Sequence, residues 1–208
     1  MIREFGGSGR DALDYGCGAG RSTRFLKRLG FETVGVDVSP NMLDQARTQD
    51  KSGKYHLITS GKLPFEDCSF DLVFSSFVFL EVSRLQEIEE ILTEMKRVLR
   101  RDGIIIFVTS SLEAPTGSWV SYSYAFPENR KPLHSGDTVK LLFRGTNVTL
   151  YDYYWTEEDY NRVAEGAGLS LVRLHKPLGS RHDSIEWLDE TKKPPVAIYV
   201  LRRESKTF

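Results

Sequence analysis

Two aspartates and three glycines carry the most chemistry in this chain. Asp14 stands two positions before Gly16 in Asp14-Tyr15-Gly16-Cys17-Gly18-Ala19-Gly20, and the glycines recur at alternate positions. Glycines so spaced leave a turn free of side chains. A ligand can lie there against bare backbone, at the positive end of the helix that follows. A dinucleotide turn would place its third glycine one position later, where Arg21 stands. A carboxylate at Asp14 is poorly placed for a pyrophosphate and suits a cation, such as the α-ammonium of an amino acid. The second carboxylate, Asp37, closes the run Val34-Gly35-Val36 and lies 17 positions past Gly20. An acid at the end of a second strand, near this spacing, accepts ribose hydroxyls. The pair therefore calls for an amino acid joined to a nucleoside.

The surrounding pattern supplies the elements that hold these residues. The apolar run up to Tyr15 reads as a buried strand, and a helix with Phe25, Leu26 and Leu29 follows, stopped by Gly30. Residues 32–37 form a second strand. Ser39-Pro40 opens a helix as N-cap and first position, with Met42, Leu43 and Ala46 behind them. Residues 54–59 and 70–75 read as a third and fourth strand, with a loop at 60–65 between them. Ser83 is expected to cap a long helix whose apolar residues, Leu85 to Leu99, recur at helical period; Asp102-Gly103 ends it, and Ile104–Thr109 is the fifth strand. This alternation predicts a doubly wound α/β fold with a parallel sheet and helices on both faces. The rhythm then breaks. Residues 112–155 are rich in Trp, Tyr and turn residues, with two strands expected at 138–143 and 147–153 around Arg144-Gly145-Thr146. Thr156–Asp159 is a capping box for a further helix, and residues 169–175 and 196–202 are the last two strands.

With these motifs in hand, the chain resembles the class I S-adenosylmethionine-dependent methyltransferases, in particular the small-molecule branch of the type 11/25-like group. DYGCGAG, VGVDVSPNML, LPFEDCSFDLVFSS and VLRRDGIIIFVTSS carry the resemblance, which covers residues 11–111 well and the rest loosely. It implies a Rossmann-like, mostly parallel seven-stranded sheet with a C-terminal antiparallel hairpin, in a single domain over 1–208. The segment 112–155, an inserted β-hairpin with aromatics, is expected to cover the acceptor side. The implied cofactor is S-adenosylmethionine, held by Asp14, Gly16, Cys17, Gly18, Gly20, Asp37, Val38, Met42, Ser60, Gly61, Lys62, Leu63, Ser76 and Phe77. Val38 or Met42 packs on the adenine, and Ser76 and Phe77 face the methyl group. Relatives often carry an acid for the adenine amino group near Thr59 or Ser60; none stands here, so that contact falls to hydroxyls or backbone. Relatives also usually place covering helices before the first strand, where this chain has about ten residues, so the cover is expected from elsewhere.

Methyl transfer asks for in-line alignment of acceptor, carbon and sulfur, and for a base when the acceptor must lose a proton. His134 and Glu81 are the leading candidates, with His182 behind them. Cys17 has no sequence-visible base partner and reads as packing rather than as a nucleophile. Tyr122, Tyr124, His134 and Arg144 are expected to give the insert its polar contacts with an acceptor.

The bulk properties narrow the field. At 208 residues the chain fits one large domain, and 28 basic against 29 acidic residues leave no basic field for a nucleic-acid backbone. Two cysteines and four histidines show no metal spacing, so no metal is expected. No apolar run spans a membrane, which reads as a soluble, cytoplasmic protein with a small-molecule acceptor; a homodimer is left open. Two alternatives stay beside the methyltransferase: a non-catalytic S-adenosylmethionine-binding regulatory module and an NAD-type oxidoreductase.

Overall fold

A computed structural model describes residues 9–146 and 148–204. Five strands are laid down in the first half: β1 (Asp11–Tyr15), β2 (Glu32–Asp37), β3 (Lys54–Leu57), β4 (Phe70–Ser76) and β5 (Leu99–Ser110). Between them run α1 (Arg21–Arg28), α2 (Pro40–Gln49) and α3 (Leu85–Val98). After the insert come α4 (Glu157–Gly166), β9 (Leu169–His175) and β10 (Val196–Arg203). The seven strands lie in the order β3-β2-β1-β4-β5-β10-β9. β1 to β5 pair in parallel, and β10 runs antiparallel to both β5 and β9. This is the expected doubly wound, Rossmann-like sheet with its terminal hairpin.

Strand alternation sorts the core into two layers. Leu13, Val73, Ile105 and Phe107 face the cluster formed with Ile88, Leu92 and Met95 of α3 and Tyr160 and Val163 of α4. Ala12, Leu72, Phe74, Ile104 and Ile106 face the other way, onto Leu26 of α1. Leu43 and Ala46 of α2 pack with Cys17 and Tyr55.

Several boundaries differ from the sequence pattern. Ser39 and the Thr156–Asp159 box cap their helices as expected. Ser83 does not: the cap position of α3 is Arg84, with no side-chain cap. α3 also ends at Val98 rather than at Asp102, because Leu99 is drawn into the sheet opposite Phe70. That long-range ladder overrides the helical pattern of Arg100 and Arg101.

Within the insert, β7 (Thr138–Phe143) and β8 (Val148–Tyr153) form the expected hairpin; Asn147, the predicted start of the second strand, lies outside the described residues. A two-residue strand, β6 (Tyr122–Ser123), pairs with β7 and completes a three-stranded antiparallel sheet. This small sheet is fastened to the main one. The Tyr124 hydroxyl lies 3.2 Å from Ser110 Oγ at the end of β5, and Trp155 Nε1 donates to the Val82 carbonyl at 3.1 Å. The buried Glu190 accepts from the backbone N–H groups of Val120 and Leu188, tying the insert to the segment before β10. Among the described residues no helix is long and apolar enough to cross a membrane.

Candidate functional site

The carboxyl ends of β1, β2 and β4 converge on the glycine turn. Gly16 and Cys17 donate their N–H groups to the Val36 carbonyl, at 2.8 and 3.0 Å, which fastens the turn to β2. Gly18 donates to Asp37 Oδ2 at 2.8 Å, and Ser39 donates to Asp37 Oδ1 at 2.8 Å. Asp37 is thus fixed in orientation by two backbone donors, with lone pairs left over on both oxygens. Gly18 adopts φ +51°, and a Cβ built there meets nothing within 4 Å. The turn therefore opens onto free space, as close backbone approach to a ligand requires.

Asp14 is fully buried at the foot of this turn. Oδ2 accepts from Ser22 Oγ at 2.7 Å and Thr23 Oγ1 at 2.6 Å, while Oδ1 is buried without a partner. Burial pushes its carboxyl up to about 6; the Thr23 and Ser22 hydroxyls pull the other way, and the Asp37 charge adds to the rise. An orphaned, buried carboxylate oxygen is costly unless something donates to it. A cationic ligand group would do so. Ser75 Oγ, buried at the end of β4, is likewise unpartnered.

Apolar and backbone surfaces complete the cradle. Val38 and Met42 are exposed beside Asp37, and Phe77 is exposed past β4 with its backbone at φ +60°, a left-handed conformation uncommon for an aromatic. Exposed apolar side chains grouped at strand ends suit a planar ring. In the loop after β3, Gly61 donates its N–H to the Tyr15 hydroxyl at 3.2 Å, and Ser60 Oγ donates to Glu87. Lys62 is exposed, whereas Leu63 turns its side chain into the core and donates its N–H to Glu94. Cys17 buries its side chain against Leu43, Ala46 and Tyr55; burial first, then the charges of Asp14 and Asp37, push the thiol up to about 12. It is a packed neutral thiol, and only its backbone belongs to the turn.

A second, narrow cleft of about 20 Å³ opens where the insert meets the end of β5. Thr109 and Ser110 form its floor, Leu80 one wall, and Tyr124, Asp152, Tyr153 and Trp155 the roof. Asp152, on β8, is 5% exposed, and among the described residues no group donates a hydrogen bond to its carboxylate. Burial, and then the charge of Glu81, push it up to about 7. Glu81 ends a short 3-10 turn, Phe79–Glu81, after β4. It is exposed as a residue, but the adjoining wall desolvates its carboxyl and, with the Asp37 charge second, raises it above the ordinary carboxylate range. The charge of Glu81 thus bears on Asp152, and that of Asp37 on Glu81.

His134 is not brought to either cavity. Its side chain is 81% exposed and faces Asp137, with Nδ1 3.7 Å from Oδ2. Arg144 sits at the exposed hairpin tip. Sequence reasoning passed over Asp152 and Ser75. The available signal for Asp152 was an acid embedded in the aromatic run Tyr151-Asp152-Tyr153-Tyr154-Trp155.

Residues 13–107 match the family model described as "Methyltransferase domain". The chain carries a class I S-adenosylmethionine-dependent methyltransferase domain. The cofactor of that domain is S-adenosylmethionine, and the donor set fits it: an orphaned carboxylate oxygen for a cation, an oriented acid with spare lone pairs for a diol, and an open glycine turn. The chain is 28% identical over 168 residues to the malonyl-[acyl-carrier protein] O-methyltransferase of Salmonella typhimurium, covering 79% of this chain and 66% of that protein. It is 38% identical over 101 residues to the demethylmenaquinone methyltransferase of Tropheryma whipplei, covering 48% of this chain and 41% of that one. The matches thus span less than two thirds of these relatives. Among solved structures, an S-adenosylmethionine-dependent methyltransferase from Clostridium acetobutylicum shares the fold at a TM-score of 0.69 and 16% identity, over 98% of this chain and 88% of that one. A second, from Listeria monocytogenes, does so at 0.68 and 18%, over 94% and 90%.

Proposed function

We propose that this protein transfers a methyl group from S-adenosylmethionine to a small molecule held in the cleft beneath the insert. The observation that carries the reading is the shared end of the sheet. The glycine turn with Asp14 and Asp37, and the cleft with Asp152, both lie at the carboxyl ends of the parallel strands. Ligands of open α/β sheets bind at those ends.

In this reading Asp14 takes the methionine ammonium and Asp37 the ribose hydroxyls. Val38 and Met42 flank the adenine, the backbone of Ser60 to Leu63 borders its edge, and Ser76 and Phe77 face the methyl group. S-adenosylmethionine supplies an activated methyl carbon. The chain's own residues align the acceptor with it, and Asp152, lifted to about 7 by burial and then Glu81, takes the acceptor's proton. The substrates of the Salmonella and Tropheryma relatives fit a small or carrier-bound acceptor, and the insert is the part of the chain that selects it.

Calorimetry with S-adenosylmethionine and S-adenosylhomocysteine tests the cofactor half; micromolar binding of both is expected. A methyl-release screen against metabolites tests the acceptor half. Binding of NAD in place of either ligand would overturn the reading, and cofactor binding without transfer to any acceptor would favour a regulatory module.

A further inference from the structure

We propose that Glu87, on α3, determines which purine the cofactor site takes. It fixes the Ser60 hydroxyl as an acceptor, so that Ser60 receives the 6-amino group of an adenine and turns away a 6-oxo purine. This deepens the methyltransferase reading above and rests on it.

The loop after β3 starts beside Asp37. Leu57 pairs with Asp37 in the sheet, and Ile58 donates its N–H to the Asp37 carbonyl at 3.0 Å. Ser60 follows two positions on, exposed, and Gly61 then donates to the Tyr15 hydroxyl at the end of β1. The loop therefore runs past the carboxyl ends of β2 and β1, beside the place the base takes once Asp37 holds the ribose.

Hydrogen-bond accounting leaves two open groups on Ser60. The next three N–H groups are committed inside the protein: Gly61 to Tyr15, Lys62 to the Thr59 carbonyl at 3.0 Å, and Leu63 to Glu94 at 2.9 Å. The Ser60 N–H finds no acceptor among the described residues. Its hydroxyl lies 3.1 Å from Glu87 Oε1. An ionised carboxylate only accepts, so the hydroxyl proton is turned onto Glu87. The Tyr15 hydroxyl also stands against the Ser60 side chain. A hydroxyl oxygen has two lone pairs, so one stays open whichever way Tyr15 points its own proton.

Ser60 thus offers one acceptor and one donor, from Oγ and N of a single residue. Adenine presents the complement, an amino donor at C6 beside a bare N1. Hypoxanthine presents the reverse, an oxygen at C6 beside an N1–H. Against Ser60 it sets lone pair on lone pair and proton on proton, and a site built for one pattern rejects the other.

Glu87 is not needed to hold the loop. Arg97, also on α3, donates to the Leu63 carbonyl at 3.0 Å and the Phe65 carbonyl at 2.8 Å, beside the bond from Leu63 to Glu94. The Glu87 contact adds the orientation of one hydroxyl to an anchorage already made. No acid stands between Ile58 and Phe65, so the carboxylate that orients this edge comes from the helix.

The test is calorimetric titration of the full chain with S-adenosylhomocysteine and S-inosylhomocysteine, which differ only at the purine edge. The parent protein should bind the adenosyl compound about thirtyfold more tightly. Ser60→Ala should cut that ratio at least fivefold, and Ser60→Thr, which keeps the hydroxyl, should hold it within twofold. Glu87→Ala should cut it at least threefold by a particular route. The freed hydroxyl swings its proton outward, so the inosyl compound tightens while the adenosyl compound weakens. Neither position fills the core, so the variants should fold. A Glu87→Ala protein that binds both compounds more weakly by the same factor would show a loop merely loosened and would overturn the inference. So would equal affinity of the parent protein for the two compounds, or a ratio that falls in Thr59→Ala and not in Ser60→Ala. Each of these leaves the methyltransferase reading intact. Failure of both compounds to bind the parent protein would overturn that reading and this inference with it.

Discussion

Asp14 and Asp152 are the same kind of residue in two differently built halves of the molecule. Both are buried, and burial raises both carboxyls, to about 6 and about 7. Asp14 is answered locally: Ser22 and Thr23, eight and nine positions on, satisfy one of its oxygens. Asp152 has no such neighbour. Its surroundings come from the end of β5 and the 3-10 turn after β4, both distant in sequence, and from Tyr153 to Trp155 beside it. Asp14 is answered from within its own short run of chain, whereas the walls around Asp152 are brought together largely by tertiary pairing.

The largest effect that would sharpen this contrast is on transfer. Asp152→Asn should lower the methyl-transfer rate by about 10²-fold or more, the scale of a lost general base, with cofactor affinity within twofold. Single-turnover assays beside calorimetry separate the two. A rate within threefold of the parent protein would remove Asp152 from the chemistry. On the cofactor side, Asp37→Ala should weaken S-adenosylmethionine by about 1–3 kcal/mol, as a charged hydrogen-bond acceptor is lost, without unfolding the chain. Unchanged affinity would take Asp37 out of the site.

The two carboxyls should also separate by pH. Below about pH 6 Asp14 becomes neutral and holds a cation less well, so cofactor affinity should be full above that value and fall beneath it. Calorimetry at pH 5 and 7.5 reads this, and a flat profile would detach Asp14 from the ammonium. For Asp152 the effect is on stability. Its native value of about 7 exceeds the unfolded 3.8, so the native state binds the extra proton between them, and stability falls as pH rises through that interval. Asp152→Asn should then stabilise the ligand-free protein more at pH 8 than at pH 4, by up to roughly 4 kcal/mol on the scale of 1.4 per unit. Denaturant melts at both values check the sign. The smallest effect is expected at His134: with its side chain in solvent, His134→Ala should change transfer by less than about twofold, and a tenfold loss would bring the outer loop into the site.

Legibility in the sequence followed the same division. Asp14, Asp37, the glycine turn and the Ser39-Pro40 cap were readable because each acts within a few residues of itself. The early strands were readable because strands buried on both faces are apolar throughout. The end of α3 was not, since Leu99 leaves the helix to pair with Phe70, some thirty positions away. β6 is two residues long and carries no period at all. Asp152 looked like one polar residue in an aromatic stretch. Its burial depends on β8 pairing with β7 and closing over the turn at Phe79–Glu81, which no local pattern reports.

The insert leaves the core at Ser111, whose Oγ donates to the Pro194 carbonyl, and rejoins it at Trp155, pinned to Val82. Between those two rivets the insert is tied again, through Tyr124 to Ser110 and through Val120 to Glu190. A chimera that exchanges residues 112–154 has to carry both of these ties as well as the two joints, and one that does is the one that should fold.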